Sequence, residues 1–286
     1  MFLGYDMLLR NRSQPQGHFE DREIKKLHDE ILADNGVTWQ LESGPLPVSG
    51  DGHRQSMREI ANRREADRRM WGFKDPRVCL FLHTWKTVLP DAKVLLVYRH
   101  FAEVTRSLHQ RAANGILCGI GRQDHHRRFW KVPDLALKMW LVHNEALIDF
   151  ADAYPEDVLA ISFDMLRRGF PLLDALNRYW GLALVETPTS DVFSPVASVD
   201  PPGVQLVSEE KLIGETLETW EALEQLGRRT GELTGISVGV GEQPTEEDFY
   251  SPVDAYAAEL RRQFADFELR YLQEQLGEAE KHRENL

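Results

Sequence analysis

Two clusters in the first hundred residues have the composition of an anion site. Lys74-Asp75 stands near the end of MWGFKDPR at 70–77, and Arg99 closes the apolar run Lys93-Val-Leu-Leu-Val-Tyr-Arg99. A guanidinium grips a phosphate with two donors at once, while an ammonium acts as a compact point charge. At the carboxyl ends of parallel strands both would face the crevice in which open α/β sheets bind ligands. Helix N-termini following each cluster would add N–H donors and the positive ends of dipoles. The residues alone go no further than an anion site. Each has a plainer alternative: Arg99 as a surface partner of Asp91 or Glu103, Lys74 as a strand-end lysine in water. Asp75 and Pro76 suit the N-cap and first position of a helix, and the role of Arg77 is open.

Other polar groupings carry weaker chemistry. Glu20 and Asp21 read as first-turn acids that favour a helix dipole. His125 and His126 adjoin Arg127 and Arg128, but no third ligand follows at metal-binding spacing, so a solvated loop is expected and no metal. SGDGHR at 49–54 has small residues and a base without a preceding strand. The glycine-rich stretches 115–121 and 235–241 lack both the strand and the Lys, Ser or Thr of phosphate loops.

The elements that would position these groups follow from hydrophobic spacing. Ile24, Leu27, Ile31 and Leu32 predict a helix over 21–33, and 42–54 reads as a loop. The arginine-rich stretch 53–69 is expected to be a solvated helix face. A short buried strand is predicted at 70–77, a helix over about 77–89 closed by Pro90, and a fully buried strand at 93–99. A helix carrying Phe101, Val104 and Leu108 comes next, then a loop or lid at 115–130. A helix at 134–153, a strand at 157–163 and a helix at 164–180 continue the alternation. Beyond 185 the pattern gives a helix near 208–227, a glycine-rich loop at 231–243 and an amphipathic helix at 252–283. Strands alternating with helices predict an α/β fold with a mostly parallel sheet between layers of helices. We expect one α/β domain over 1–230 and a helical C-terminal appendage over 231–286.

Composition narrows the function classes. The 286 residues carry a formal net charge of −12, unevenly spread. Residues 1–143 hold 23 Lys and Arg against 17 Asp and Glu, and residues 144–286 hold 11 against 29. An anionic ligand therefore belongs with the first half, and general nucleic-acid binding is not expected. Cys79 and Cys118 make no disulfide framework, which fits a reducing compartment. The N-terminus lacks a basic region and Asp6 interrupts its apolar run, so neither signal peptide nor membrane span is expected and the cytoplasm is the expected location.

The stretch WGFKDPRVCLFLHTWKTVLPDAKVLLVYRHFAEVTRSLHQR at 71–111 resembles the bacterial sulfotransferase family. That family has an aromatic-Gly-aromatic-Lys-Asp-Pro-Arg strand end, a helix closing at Leu-Pro, and a hydrophobic strand ending in Arg with a Ser eight residues later. QPQGHFEDREIKKLHDEIL at 14–32 and the segments LKMWLVHNEALIDF and ISFDML within 137–166 are similar to further parts of it. The resemblance implies a three-layer fold of the P-loop kind and 3′-phosphoadenosine 5′-phosphosulfate as co-substrate. It implies that Arg99 and Ser107 hold the donor's 3′-phosphate, that Lys74 stabilises charge on the transferring group, and that Glu20 takes the acceptor's proton, with His18 as the alternative base. The acceptor would be a small molecule or glycan carrying a hydroxyl or amine. The match starts at about Phe2-Leu3-Gly4, after the strand and Gly/Ser/Thr loop that cradle the 5′-phosphosulfate in the family. This leaves a second expectation: a non-catalytic or degenerate nucleotide-binding or interaction protein.

Overall fold

The computed structural model describes residues 19–67, 70–117, 119–132, 134–185 and 210–237, with 7, 204–205, 244–245 and 250–251 besides. Helix α1 (Arg22–Asp34) starts at Asp21, whose Oδ1 accepts the backbone N–H of Glu23 at 2.9 Å and of Ile24 at 3.4 Å. It buries Ile24, Leu27, His28, Ile31 and Leu32 along one face. Helix α2 (Asp51–Ala66) lays Met57, Ile60 and Ala61 against it. These side chains enclose a first core with Cys79, Leu80, Phe81 and Trp85. The arginine-rich face of α2 is not wholly solvated as expected. Arg64 is buried because the carboxylate of Asp21 neutralises it at the foot of α1.

Residues 70–77 do not form the expected strand. Trp71 makes an isolated bridge, and the chain is otherwise irregular up to a 3-10 turn at Val78–Phe81 that leads into α3 (Leu82–Val88). Side-chain bonds to Asp75 and packing of Phe73 on Trp85 take the place of a strand ladder here. Strand β1 (Val94–Tyr98) runs parallel to β2 (Val158–Ser162), in register from Val94 opposite Val158 to Tyr98 opposite Ser162. Helices α4 (Phe101–Leu117), α5 (Gln123–Lys131) and α6 (Leu135–Ala153) make the crossover between them. Much of the expected loop at 115–130 is therefore helix. Phe129 of α5 is drawn into a small core with Ala112 and Met139, and that packing supplies the helix that polar composition obscured.

After β2 come α7 (Phe163–Arg167), α8 (Leu172–Trp180) and α9 (Glu210–Thr234), with a two-residue antiparallel pairing of β3 (Val204–Gln205) and β4 (Tyr250–Ser251). Helix α9 outruns its expected end because Thr230 and Thr234 are buried against the sheet, the Thr230 hydroxyl accepting from the Ala160 N–H at 2.9 Å. Gly235, at φ 65°, ends it. The main core joins Leu96, Tyr98, Phe101, Trp140, Phe150, Ala160, Trp220 and Leu223 from β1, β2, α4, α6 and α9.

The fold is broadly α/β but mostly helical, and the sheet of β1 and β2 is smaller than a mostly parallel central sheet. β2 is buried throughout. β1 buries Leu96 and Tyr98 on one face only, while Val97 on the other is 44% exposed. That alternation corrects the expectation of a fully buried strand: among the described residues the face of β1 that carries Leu95 and Val97 is only partly covered. Among those residues no helix is long and apolar enough to cross a membrane. The expected helix at 252–283 lies outside them.

Candidate functional site

The two clusters that the sequence offers as an anion site are held by different devices. Lys74 precedes Asp75, which is 4% exposed and sits at the centre of a polar network. His28 Nδ1 lies 2.8 Å from Asp75 Oδ2, and Trp85 donates its indole N–H to His28 Nε2 at 2.9 Å. Since Nε2 accepts, Nδ1 carries the ring proton and donates it to Asp75. The guanidinium of Arg77 reaches Asp75 through Nε at 2.8 Å and Nη2 at 2.9 Å, and Asp29 through Nη1 at 2.6 Å. Burial by itself would push the Asp75 carboxyl up. Hydrogen bonds from His28 and Arg77 outweigh it and hold the group well below the carboxylate range. Cys79, buried beside this network, has its thiol pushed up to about 12 by loss of solvent, with the Asp75 charge adding to the effect. It is packing material rather than a nucleophile.

Asp75 therefore does more than the helix cap expected of it. Its Oδ1 accepts the Arg77 N–H at 2.9 Å, as a cap would, while the same carboxylate ties α1 to the 70–77 segment. Arg77, left open by the sequence, is the bridge to Glu20.

Glu20 is not in the first turn of α1; Asp21 takes the capping role. The Glu20 carboxylate is instead 8% exposed, with Lys74 Nζ 3.2 Å from Oε1 and Arg77 Nη2 3.7 Å from Oε2. Phe19, just before it, has φ 52°, the sole positive φ outside glycine among the described residues. Such a conformation costs of order 1 kcal/mol and is maintained where the surroundings dictate it. Here it delivers the Glu20 side chain inward while the Phe19 ring stays exposed. His18 lies outside the described residues.

The second cluster is built on β1 and α4. Tyr98, the last residue of β1, donates its hydroxyl to Glu224 of α9 at 3.0 Å. Trp140 of α6 donates its indole N–H to the Arg99 carbonyl at 3.0 Å. These bonds fix the backbone from which the Arg99 side chain emerges. The guanidinium lies over the Phe163 ring at 4.5 Å and meets Glu103 Oε2 at 3.1–3.2 Å. Of the two partners considered for Arg99, it is Glu103 that is engaged. Ser107 stands one helical turn beyond Glu103, half-buried.

A residue that sequence reasoning passed over connects the clusters. Arg111 of α4 reaches solvent, yet protein crowds its guanidinium enough to lower its proton affinity. The positive charge of Arg99 lowers it further, and the carboxylate of Glu20 acts the other way. Glu20 and Arg99 thus both lie within electrostatic range of one side chain. The four-residue steps from Glu103 to Ser107 to Arg111 are visible in the sequence, but nothing in them marks Arg111 out from other arginines on an exposed helix face.

His125 and His126 are on a helix rather than in a loop. His125 Nδ1 accepts the Trp39 indole N–H at 2.9 Å, and His126 packs against Gly115 and Gly121. Comparison with protein-family models, with curated proteins and with solved structures finds no match.

Proposed function

We propose that the chain is a sulfotransferase of the P-loop-like kind. It would bind 3′-phosphoadenosine 5′-phosphosulfate at the carboxyl end of β1 and pass its sulfuryl group to a small-molecule or glycan hydroxyl or amine. The reading rests on the resemblance of residues 71–111. The observation that carries it furthest is the buried Glu20 carboxylate, with Lys74 Nζ 3.2 Å from one oxygen and Arg77 Nη2 3.7 Å from the other. Arg99 leaves a parallel strand at its carboxyl end, where α/β folds place ligands.

In the reaction, the bond from sulfur to the bridging oxygen of the 5′-phosphate breaks and a bond from sulfur to the acceptor oxygen or nitrogen forms. Adenosine 3′,5′-bisphosphate leaves, and Glu20 receives the acceptor's proton. Lys74, whose side chain is 56% exposed, faces the charge that grows on the bridging oxygen. Arg99 and Ser107 hold the 3′-phosphate. Positioning and electrostatics supply the acceleration, as in phosphoryl transfer.

The alternative is nucleotide binding without transfer. It is favoured by the enclosure of Glu20, whose two oxygens are each engaged by a cation. Transfer of labelled sulfate from the donor to a panel of hydroxyl and amine acceptors separates the readings. Sulfuryl transfer that falls about 10²–10⁴-fold in Glu20→Gln, with donor affinity retained, supports catalysis. Donor binding without turnover in the wild type leaves the binding-only reading.

A further inference from the structure

The loop at 42–46, helix α6 and the first turns of α9 enclose an open groove of about 580 Å³. None of these elements carries Glu20, Lys74, Arg99 or Ser107. The floor is apolar: Leu141 and Ala146 of α6 and Leu212 of α9 are buried, and Leu46 and Val142 are partly so. The rim is charged, and most of its charges are already matched. Asp134 holds Lys138 Nζ at 2.7 Å, Glu215 holds Lys211 Nζ at 3.4 Å, and Arg128 holds the Glu42 carboxylate. Two carboxylates of α6 are left, Glu145 and Asp149, both exposed and one helical turn apart. Asp149 Oδ2 lies 2.9 Å from His83 Nε2. Glu145 makes no hydrogen bond or ion pair among the described residues.

We propose that this groove binds an organic cation, a primary ammonium on an aliphatic body. Like charges one helical turn apart repel, and among the described residues no lysine or arginine stands between Glu145 and Asp149 to offset that repulsion. An ammonium does so, and its three donors can serve both carboxylates. The aliphatic part then lies over the Leu141, Ala146 and Leu212 floor and leaves water. Small-molecule sites measure roughly 300–1,000 Å³, so the recess suits a ligand of that class. An anion suits it poorly, because both lysines of the rim are already paired while these two carboxylates are not. Residues 144–286, which supply Glu145, Asp149 and Glu215, hold 11 Lys and Arg against 29 Asp and Glu, and that balance also attracts a cation. The proposal does not depend on the sulfotransferase reading.

Ligand-detected NMR at neutral pH and low ionic strength tests it, with hexylammonium, hexanol, hexanoate and trilysine as probes of the full chain. Hexylammonium is expected to bind at least about fivefold more tightly than hexanol, and hexanoate more weakly than either. Glu145→Gln combined with Asp149→Asn should bring hexylammonium down to the level of hexanol, a loss of about 5- to 30-fold. Added salt should remove part of the same preference. Ser43→Trp, on the exposed loop wall of the groove, should weaken hexylammonium and hexanol alike. These substitutions change exposed side chains, so the melting temperature should hold. If the double variant does unfold, Glu145→Gln alone, which breaks no bond among the described residues, should still weaken hexylammonium about threefold. Absence of hexylammonium binding, equal affinity for hexanol or hexanoate, or binding left intact by either the charge variants or Ser43→Trp overturns the proposal. So does trilysine binding as tight as that of hexylammonium, since charge without an apolar body would then explain the attraction.

Discussion

Replacing Asp75 with Asn should cost the protein more stability than any surface change, although the two side chains have nearly the same shape. The Asp75 carboxylate receives His28 Nδ1–H at 2.8 Å, the Arg77 Nε and Nη2 donors at 2.8 and 2.9 Å, and the Arg77 backbone N–H at 2.9 Å. An amide removes the charge that compensates a buried guanidinium and turns an NH₂ group towards one of these donors. Breaking a buried pair from one side costs about 3–5 kcal/mol. At about 2–4 °C per kcal/mol for a chain of this size, the melting temperature should drop by roughly 6–20 °C. The pH dependence has a definite sign. Asp75 ionises more readily folded than unfolded, so its contribution is complete above the ordinary value of 3.8 and is lost as pH falls below it. Wild type should lose stability on acidification through that range, and Asp75→Asn should show a flatter decline. Thermal unfolding of both proteins by circular dichroism between pH 2.5 and 7 checks each point. A melting temperature for Asp75→Asn within 2 °C of wild type at pH 7 would refute the claim that this network ties α1 to the 70–77 segment.

Further predictions concern the supports of the second cluster. A methyl group at Gly227 of α9 would lie 2.4 Å from the Tyr98 hydroxyl, which is buried and bonded to Glu224. Gly227→Ala should therefore destabilise by about 1–3 kcal/mol, read from denaturant unfolding, despite the gain in helix propensity. His109, enclosed by Phe129 and Trp130, has its imidazole pushed down to about 4 by burial. The unfolded state therefore binds more protons between pH 6.5 and 4, and stability is lost as pH falls through that interval. At about 1.4 kcal/mol per unit, the loss from this group approaches about 3 kcal/mol. His109→Phe should remove its share of the slope in unfolding free energy over that interval, leaving the share of His143 and His125, whose imidazoles burial also lowers; an unchanged slope would show that His109 is not a source.

The parts of the fold written as hydrophobic spacing were legible. Ile24, Leu27, Ile31 and Leu32 placed α1 to within a residue at each end, and the apolar runs at 93–99 and 157–163 placed the parallel pair β1 and β2. Segments shaped by polar contacts over long sequence separations were not. Residues 70–77 look like a buried strand, but Asp75 and Phe73 bind partners on α1 and α3 instead of a sheet. Arg64 looks like its exposed neighbours until Asp21, 43 positions earlier, is seen to neutralise it. Within the candidate site, Arg99 and Lys74 stood out through their places at the ends of apolar or aromatic stretches. Arg111 did not, because on its own it is one more arginine on an exposed helix face. Its significance depends on Glu20, 91 positions away, which only the folded chain brings within reach.

The central claim is that the carboxyl end of β1 binds a nucleotide by its 3′-phosphate, and calorimetry with two nucleotides tests it most directly. The account predicts that adenosine 3′,5′-bisphosphate binds at least tenfold more tightly than adenosine 5′-monophosphate. Arg99→Ala should abolish most of that preference, as expected when a charge-assisted contact worth about 1.5–3 kcal/mol is lost. Equal affinity for the two nucleotides in the wild type, or a preference that survives Arg99→Ala, would contradict it.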